Sequence, residues 1–262
     1  MLWNMRLWIF VLLGAALLVA VVLLPPLAEP RMFRSLADQR AFLGIPNFLD
    51  VVSNVPFLLV GVWGLYFLTR DARQPRAFTD PAERWPYAVC FLSVALIAPG
   101  SAYYHLAPDD ARLMWDRLPI SMGFMALVSA VIVERISRKA GLRLLLPLML
   151  AGAASVLYWR WSLLRGAEDI LPYAAVQYGA MAAVLLALLL FPARYARGAD
   201  LLVALAIYAL AKLAEVLDRP IYALGGIVSG HTLKHLLAAL AVGWLVRMLY
   251  LRRPKNRDVP HF

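Results

Sequence analysis

Long apolar stretches alternate with short polar connections along the whole chain. Eight such stretches cover residues 7–25, 47–68, 86–105, 117–134, 143–159, 171–191, 200–217 and 231–251. Each is close to the roughly 20 apolar residues that a helix needs to cross a bilayer, and Pro, Arg, Asp and Glu collect between them. The pattern predicts an all-α, polytopic membrane helix bundle with no separate soluble domain, internal repeat or low-complexity segment. The first stretch reads as a retained helix. As a signal peptide its apolar region would be longer than usual, and PPLAEP makes a poor cleavage site.

Composition agrees with this pattern. The 262 residues are 63% hydrophobic and 16% charged, with mean hydropathy +0.71, whereas a soluble domain has about a quarter of its residues charged. The single cysteine, Cys90, excludes an intrachain disulfide and a Cys-rich metal site, and reads as a small buried hydrophobe. A net charge of +10 would suggest nucleic acid in a soluble protein. Here Lys and Arg fall between the apolar runs, so they predict orientation and no nucleic-acid partner. With both termini in the cytoplasm, the inside connections carry 15 Lys and Arg and the outside ones 8, the asymmetry of the positive-inside rule. Phe262 is then cytoplasmic, and His105, Asp116 and His231 reach the outer face.

Polar residues inside such runs are costly and mark function by default. HTLKH puts His231 and His235 one helical turn apart, about 6 Å along the axis, where both imidazoles can reach one ion. Ser101 and His105 share the same i, i+4 spacing. Asp116 follows 11 residues after His105, across the APDD turn, where Pro119 suits a first helical turn. Three His, one Asp and one Ser at one depth suit a zinc site with an open fourth position, although imidazoles also accept iron or copper. The structural alternative stays open: Ser101 bonds back to its own helix, Asp116 caps the next span, and the histidines meet nearby carbonyls. In NFLDVVSN, Asn47, Asp50 and Asn54 form one helical stripe with Ser53 beside it. They read equally as a cap with interhelical hydrogen bonds or as groups that orient metal-bound histidines. Lys212 and Glu215 read as an i, i+3 pair, and Asp218 and Arg219 as interfacial. Trp115, Trp159, Trp161 and Tyr173 read as interfacial anchors. The glycine-rich stretch 224–230 reads as a mobile loop or a tight turn, and His261 as solvated.

Taken together, NFLDVVSN, GSAYYHLAPDDARLMWDRLP and HTLKH resemble the alkaline ceramidase family. That family lies within the superfamily of seven-span membrane hydrolases that also holds the progestin/adipoQ-type receptors and GPI-remodelling proteins. The resemblance covers roughly residues 45 to 250, and between the motifs it is only apolar. It implies a seven-span catalytic domain over 47–251, preceded by an extra helix and loop over 1–46 and followed by a basic cytoplasmic tail over 252–262. It implies a zinc-dependent amidase in which His105, His231 and His235 hold Zn2+ and Asp116 and Ser101 flank the reacting water. Asn47, Asp50, Ser53 and Asn54 then stand behind the metal ligands. The substrate would be ceramide or a related N-acyl lipid drawn from the bilayer. The eukaryotic ceramidases also carry an acidic calcium site. This chain has Asn47 where they have a glutamate, and LADQRAFLGIP is poor in carboxylates, so Ca2+ is not expected. The alternative within the superfamily is a receptor-like lipid- or ligand-binding protein with a structural zinc. A metal transporter would need ligands through the membrane, and here they lie near one face.

Overall fold

A computed structural model describes residues 2–70 and 77–255. His261, Phe262 and most of the basic tail lie outside the described residues. The chain forms helices α1 (Leu2–Leu23), α2 (Phe48–Val52), α3 (Val55–Arg70), α4 (Arg84–Leu106) and α5 (Asp110–Arg135). They are followed by α6 (Arg138–Leu164), α7 (Leu171–Leu190), α8 (Asp200–Val216), α9 (Asp218–Ala223) and α10 (Gly230–Leu251). Among the described residues, seven helical stretches are long and apolar enough to cross a membrane, with α2 and α3 counted as one. At 17 residues, α8 stands at the short end of the spanning range. The fold is an all-α polytopic helix bundle.

The helices depart from the predicted boundaries by several residues in places, as where α6 is five residues longer at each end than the predicted 143–159, and two of these departures have a clear local reason. The second apolar stretch is broken between α2 and α3. Ser53 Oγ and Asn54 Nδ2 donate to the Asp50 carbonyl at 3.3 and 2.7 Å, competing with the helix ladder, and Pro56 cannot donate to the carbonyl four residues back. The fourth stretch begins early. Asp109 accepts from Arg112 N at 2.8 Å and caps α5, so the charged segment after APDD is already helical. Asp116 is therefore not a helix cap, and Pro119 lies inside α5.

In the bundle, α5 is the central helix, with α4, α6 and α7 packed around it, while α10 lies between α3 and α8. A core of Phe67, Tyr87, Phe91, Val131, Phe191 and Leu249 fills the end where α5 and α10 terminate. α1 stands outside the bundle and leans on α7. Trp3 meets Phe191 edge-on at 5.1 Å, and Gly179 makes room for Leu17. Leu12, Leu18, Val22, Leu146, Leu150 and Leu189 are exposed, as expected of surfaces solvated by lipid.

Candidate metal centre

Two close helix approaches assemble the site. A Cβ built on Gly100 would lie 2.4 Å from the Trp115 carbonyl oxygen. Pro119 leaves that oxygen without its usual donor, so α4 and α5 can touch there only through glycine. The contact sets Ser101 and His105 beside Asp116. At the head of α10, a Cβ on Gly230 would lie 2.1 Å from the Ala214 carbonyl oxygen and 2.6 Å from Asp218 Cα, so only glycine lets His231 and Lys234 come down on the end of α8. Gly226 has φ +63°, a left-handed residue that glycine adopts at little cost. The glycine-rich stretch thus supplies one tight turn and one close contact.

Three histidines converge at this end. His105, His231 and His235 are buried, and one ligand nitrogen from each lies within 4.8 Å of the others. His105 Nε2 and His231 Nε2 are 3.2 Å apart. A tetrahedral metal with imidazole nitrogens at about 2.0–2.1 Å sets neighbouring ligands about 3.3–3.4 Å apart. Two of the three nitrogens already match one edge of that tetrahedron. The neighbours of His235 fix which nitrogen is free. Ser53 Oγ donates to the Asp50 carbonyl, so it accepts from His235 Nδ1 at 2.8 Å. That tautomer leaves the Nε2 lone pair for a metal. The triad is a buried site that can hold a metal ion.

The remaining predicted residues surround it. Asp50 is fully buried and takes Thr232 Oγ1 at 2.7 Å and Ser229 Oγ at 3.3 Å, which ties α2 to the first turn of α10. Asn47, in a left-handed conformation with φ 47°, donates to the His105 carbonyl at 2.8 Å. Asn54 donates only to its own helix, through the Asp50 carbonyl. Ser101, Asp116, His231 and His235 line one cavity of about 310 Å³, with His105 enclosed beside it. Ser101 Oγ has no hydrogen-bond partner among the described residues, so the reading in which it bonds back to its own helix does not hold. The cavity is otherwise apolar, walled by residues such as Phe57, Ile97, Phe124, Leu201 and Leu245.

The structure adds groups around the site that the hydropathy pattern does not reveal. Lys234 Nζ stands 3.0 Å from His231 Nε2 and 3.0 Å from Glu215 Oε1. Lys212 pairs with Glu215, as its spacing predicts, but the pair belongs to the cavity wall. The signal for Lys234 was in HTLKH itself: an ammonium inside an apolar run needs a partner. Asp218 is buried rather than interfacial; it accepts His231 N at 2.7 Å and Ala37 N at 3.0 Å. Trp159 is fully buried and Tyr173 nearly so, whereas Trp115 and Trp161 are exposed. The first two are therefore not lipid anchors; they pack against Arg117. Finally, the segment between α1 and α2 forms a strap over this end, and Leu27, Glu29, Pro30 and Phe33 line the cavity. The strap is tied down by Ile170 N to the Leu27 carbonyl at 2.8 Å, Leu27 N to Asp169 at 3.1 Å, and ion pairs of Glu29 with Arg117 and of Arg34 with Glu168.

No family model matches the chain, and no curated protein is detectably similar to it.

Proposed function

We propose that the protein is an intramembrane zinc-dependent hydrolase of lipid amides, acting on ceramide or a related N-acyl lipid and releasing a fatty acid and an amine. One observation carries the reading. Three buried imidazoles converge beside Asp116, a carboxylate outside any ion pair among the described residues, at one end of an apolar cavity within a membrane-spanning bundle. The motif resemblance to the alkaline ceramidases points the same way. A receptor-like protein with a structural zinc is the rival reading. A structural site is normally closed by four protein ligands, whereas this triad opens onto a cavity lined by Ser101 and by Asp116, a carboxylate outside any ion pair among the described residues.

His105, His231 and His235 would hold the ion. Bound there, zinc would supply Lewis-acid polarisation of the carbonyl and a lowered water pKa. The chain's own residues do the rest. The apolar wall takes the acyl chain and excludes bulk water. Ser101 Oγ donates a hydrogen bond to the oxygen of the carbonyl as charge develops on it. Asp116 takes the proton of the attacking water and returns it to the amide nitrogen as the C–N bond breaks, so that the amine leaves neutral. Ser53 holds His235 in its ligating tautomer, and Asn47 and Asp50 fix the helices that carry His105 and His231.

The test is release of fatty acid from a fluorescent ceramide by the purified protein. The proposal expects release that is lost on chelation and restored by zinc. Tight lipid binding with no metal-dependent release would favour the receptor. The charge asymmetry favours this end of the bundle at the outer face. A reporter fused after Phe262 should then be active only in the cytoplasm, and activity on the far side would reverse the orientation.

A further inference from the structure

Arg117 follows Asp116 on α5 and lines the same cavity. It is 5% exposed. Part of its guanidinium is committed. Nη2 donates to Glu29 of the strap, and the planar group lies 4.2 Å from the centroid of the Trp159 ring and 5.1 Å from that of Tyr173. Nη1 is buried and has no hydrogen-bond partner among the described residues. Arginine can only donate and stays charged, so an unmatched buried N–H of this kind is costly and calls for an acceptor.

The surrounding charges do not supply one. Glu29 is shared, because it also holds Arg34 at 2.8 Å. Lys212 and Lys234 share a single carboxylate, Glu215. Asp116 is the one lining carboxylate outside an ion pair among the described residues, and the proposed reaction uses it for proton transfer. With Asp116 given to proton transfer, Arg117 Nη1 is left without an acceptor among the described residues, and an acidic group on the ligand would supply one.

We infer that Arg117 is a specificity residue that binds an acidic group on the substrate, so that the substrate class is an acidic lipid amide rather than a neutral ceramide. This rests on the reading of the cavity as a lipid-amide site. Arg117 and Asp116 are consecutive, with Cα atoms about 3.8 Å apart. Both side chains line one cavity, so the acidic group belongs to the same polar head of the ligand as the amide that is cleaved. A carboxylate in an N-acylated amino acid and a phosphate on an acylated amino alcohol both meet that condition, and both suit a guanidinium.

The test is competitive binding to the full-length, zinc-supplied protein by three lipids of matched acyl length: N-palmitoylglycine, ceramide 1-phosphate and ceramide. At least one acidic lipid should bind about ten- to a hundredfold more tightly than ceramide, and the tighter of the two names the acid. Arg117→Gln should erase that preference while leaving ceramide affinity within about twofold. Glu29→Gln removes the strap's ion pair but not the free edge of Arg117, and should keep the preference. Equal or tighter binding of ceramide by the wild-type protein overturns the inference, as does a preference that survives in Arg117→Gln. If that variant does not fold, the wild-type comparison alone decides. Acid-selective binding with no release of fatty acid would sink the hydrolase reading and leave the role of Arg117 standing. Turnover of ceramide with no preference for either acid would do the reverse.

Discussion

Two buried polar clusters sit at opposite ends of the same bundle, built from similar residue types and differing in how far their bonds are satisfied. Where α5 and α10 terminate, Arg252 pairs with Glu134, which also accepts from Tyr87 Oη at 2.9 Å. Arg252 Nε donates to the Ala77 carbonyl at 2.7 Å. Its guanidinium lies 4.3 Å from the centroids of both the Phe78 and Tyr195 rings, and only its Nη2 lacks a hydrogen-bond partner among the described residues. The space beside it is about 10 Å³, room for about one water. At the histidine end, Asp50 Oδ2, Asn54 Oδ1, Ser101 Oγ, His105 Nδ1 and Arg117 Nη1 all lack partners among the described residues, beside a cavity some thirty times larger. Buried polar groups are normally satisfied. The first cluster, with one open N–H and space for no more than about a water beside it, reads as a fastening between helices. The unsaturated one reads as a place where a ligand completes the bonding.

Three substitutions can break that contrast. The largest effect on turnover is expected for Asp116→Asn, which keeps the shape and removes the proton acceptor. Amide hydrolysis per bound zinc should fall by about 10² to 10⁴, with folding and metal content near normal; turnover equal to wild type would remove Asp116 from the chemistry. Glu134→Gln at the other end should act in the opposite way. It strands the buried Arg252 charge, so stability should drop by about 3 kcal/mol or more, measured by thermal unfolding in detergent. Turnover per folded molecule should be unchanged, and lost turnover at normal stability would mean that the Arg252 cluster is more than a fastening. The mildest change is Ser53→Ala, which releases His235 Nδ1. Zinc affinity should weaken about 10- to 100-fold while the fold persists. Unaltered affinity in a metal titration would show that Ser53 does not set the tautomer.

The helices were legible in the sequence because a bilayer forces each spanning segment to satisfy its own backbone and to face lipid with apolar side chains. Their ends were less legible, because competing side-chain bonds at Ser53 and Asn54 and the Asp109 cap act locally, against the hydropathy pattern. The histidine triad showed as spacing, yet its closure depends on Gly100 and Gly230, whose meaning appears only when a second helix lies against them. Trp159 and Tyr173 looked like lipid anchors because a sequence does not show that a guanidinium covers them. The strap was hidden for a similar reason. Residues 24–47 have no regular period, and their place over the cavity rests on single bonds to Asp169, Arg117 and Asp218 from distant parts of the chain.

The central claim is that the unsaturated end holds a metal on His105, His231 and His235, and elemental analysis of the purified protein tests it most directly. The wild-type chain should carry about one zinc, as expected for a three-histidine catalytic site. The single variants His231→Ala and His235→Ala should each lose most of it, and Glu134→Gln at the other end should retain it. Full zinc occupancy in the double variant His231→Ala/His235→Ala would contradict the account.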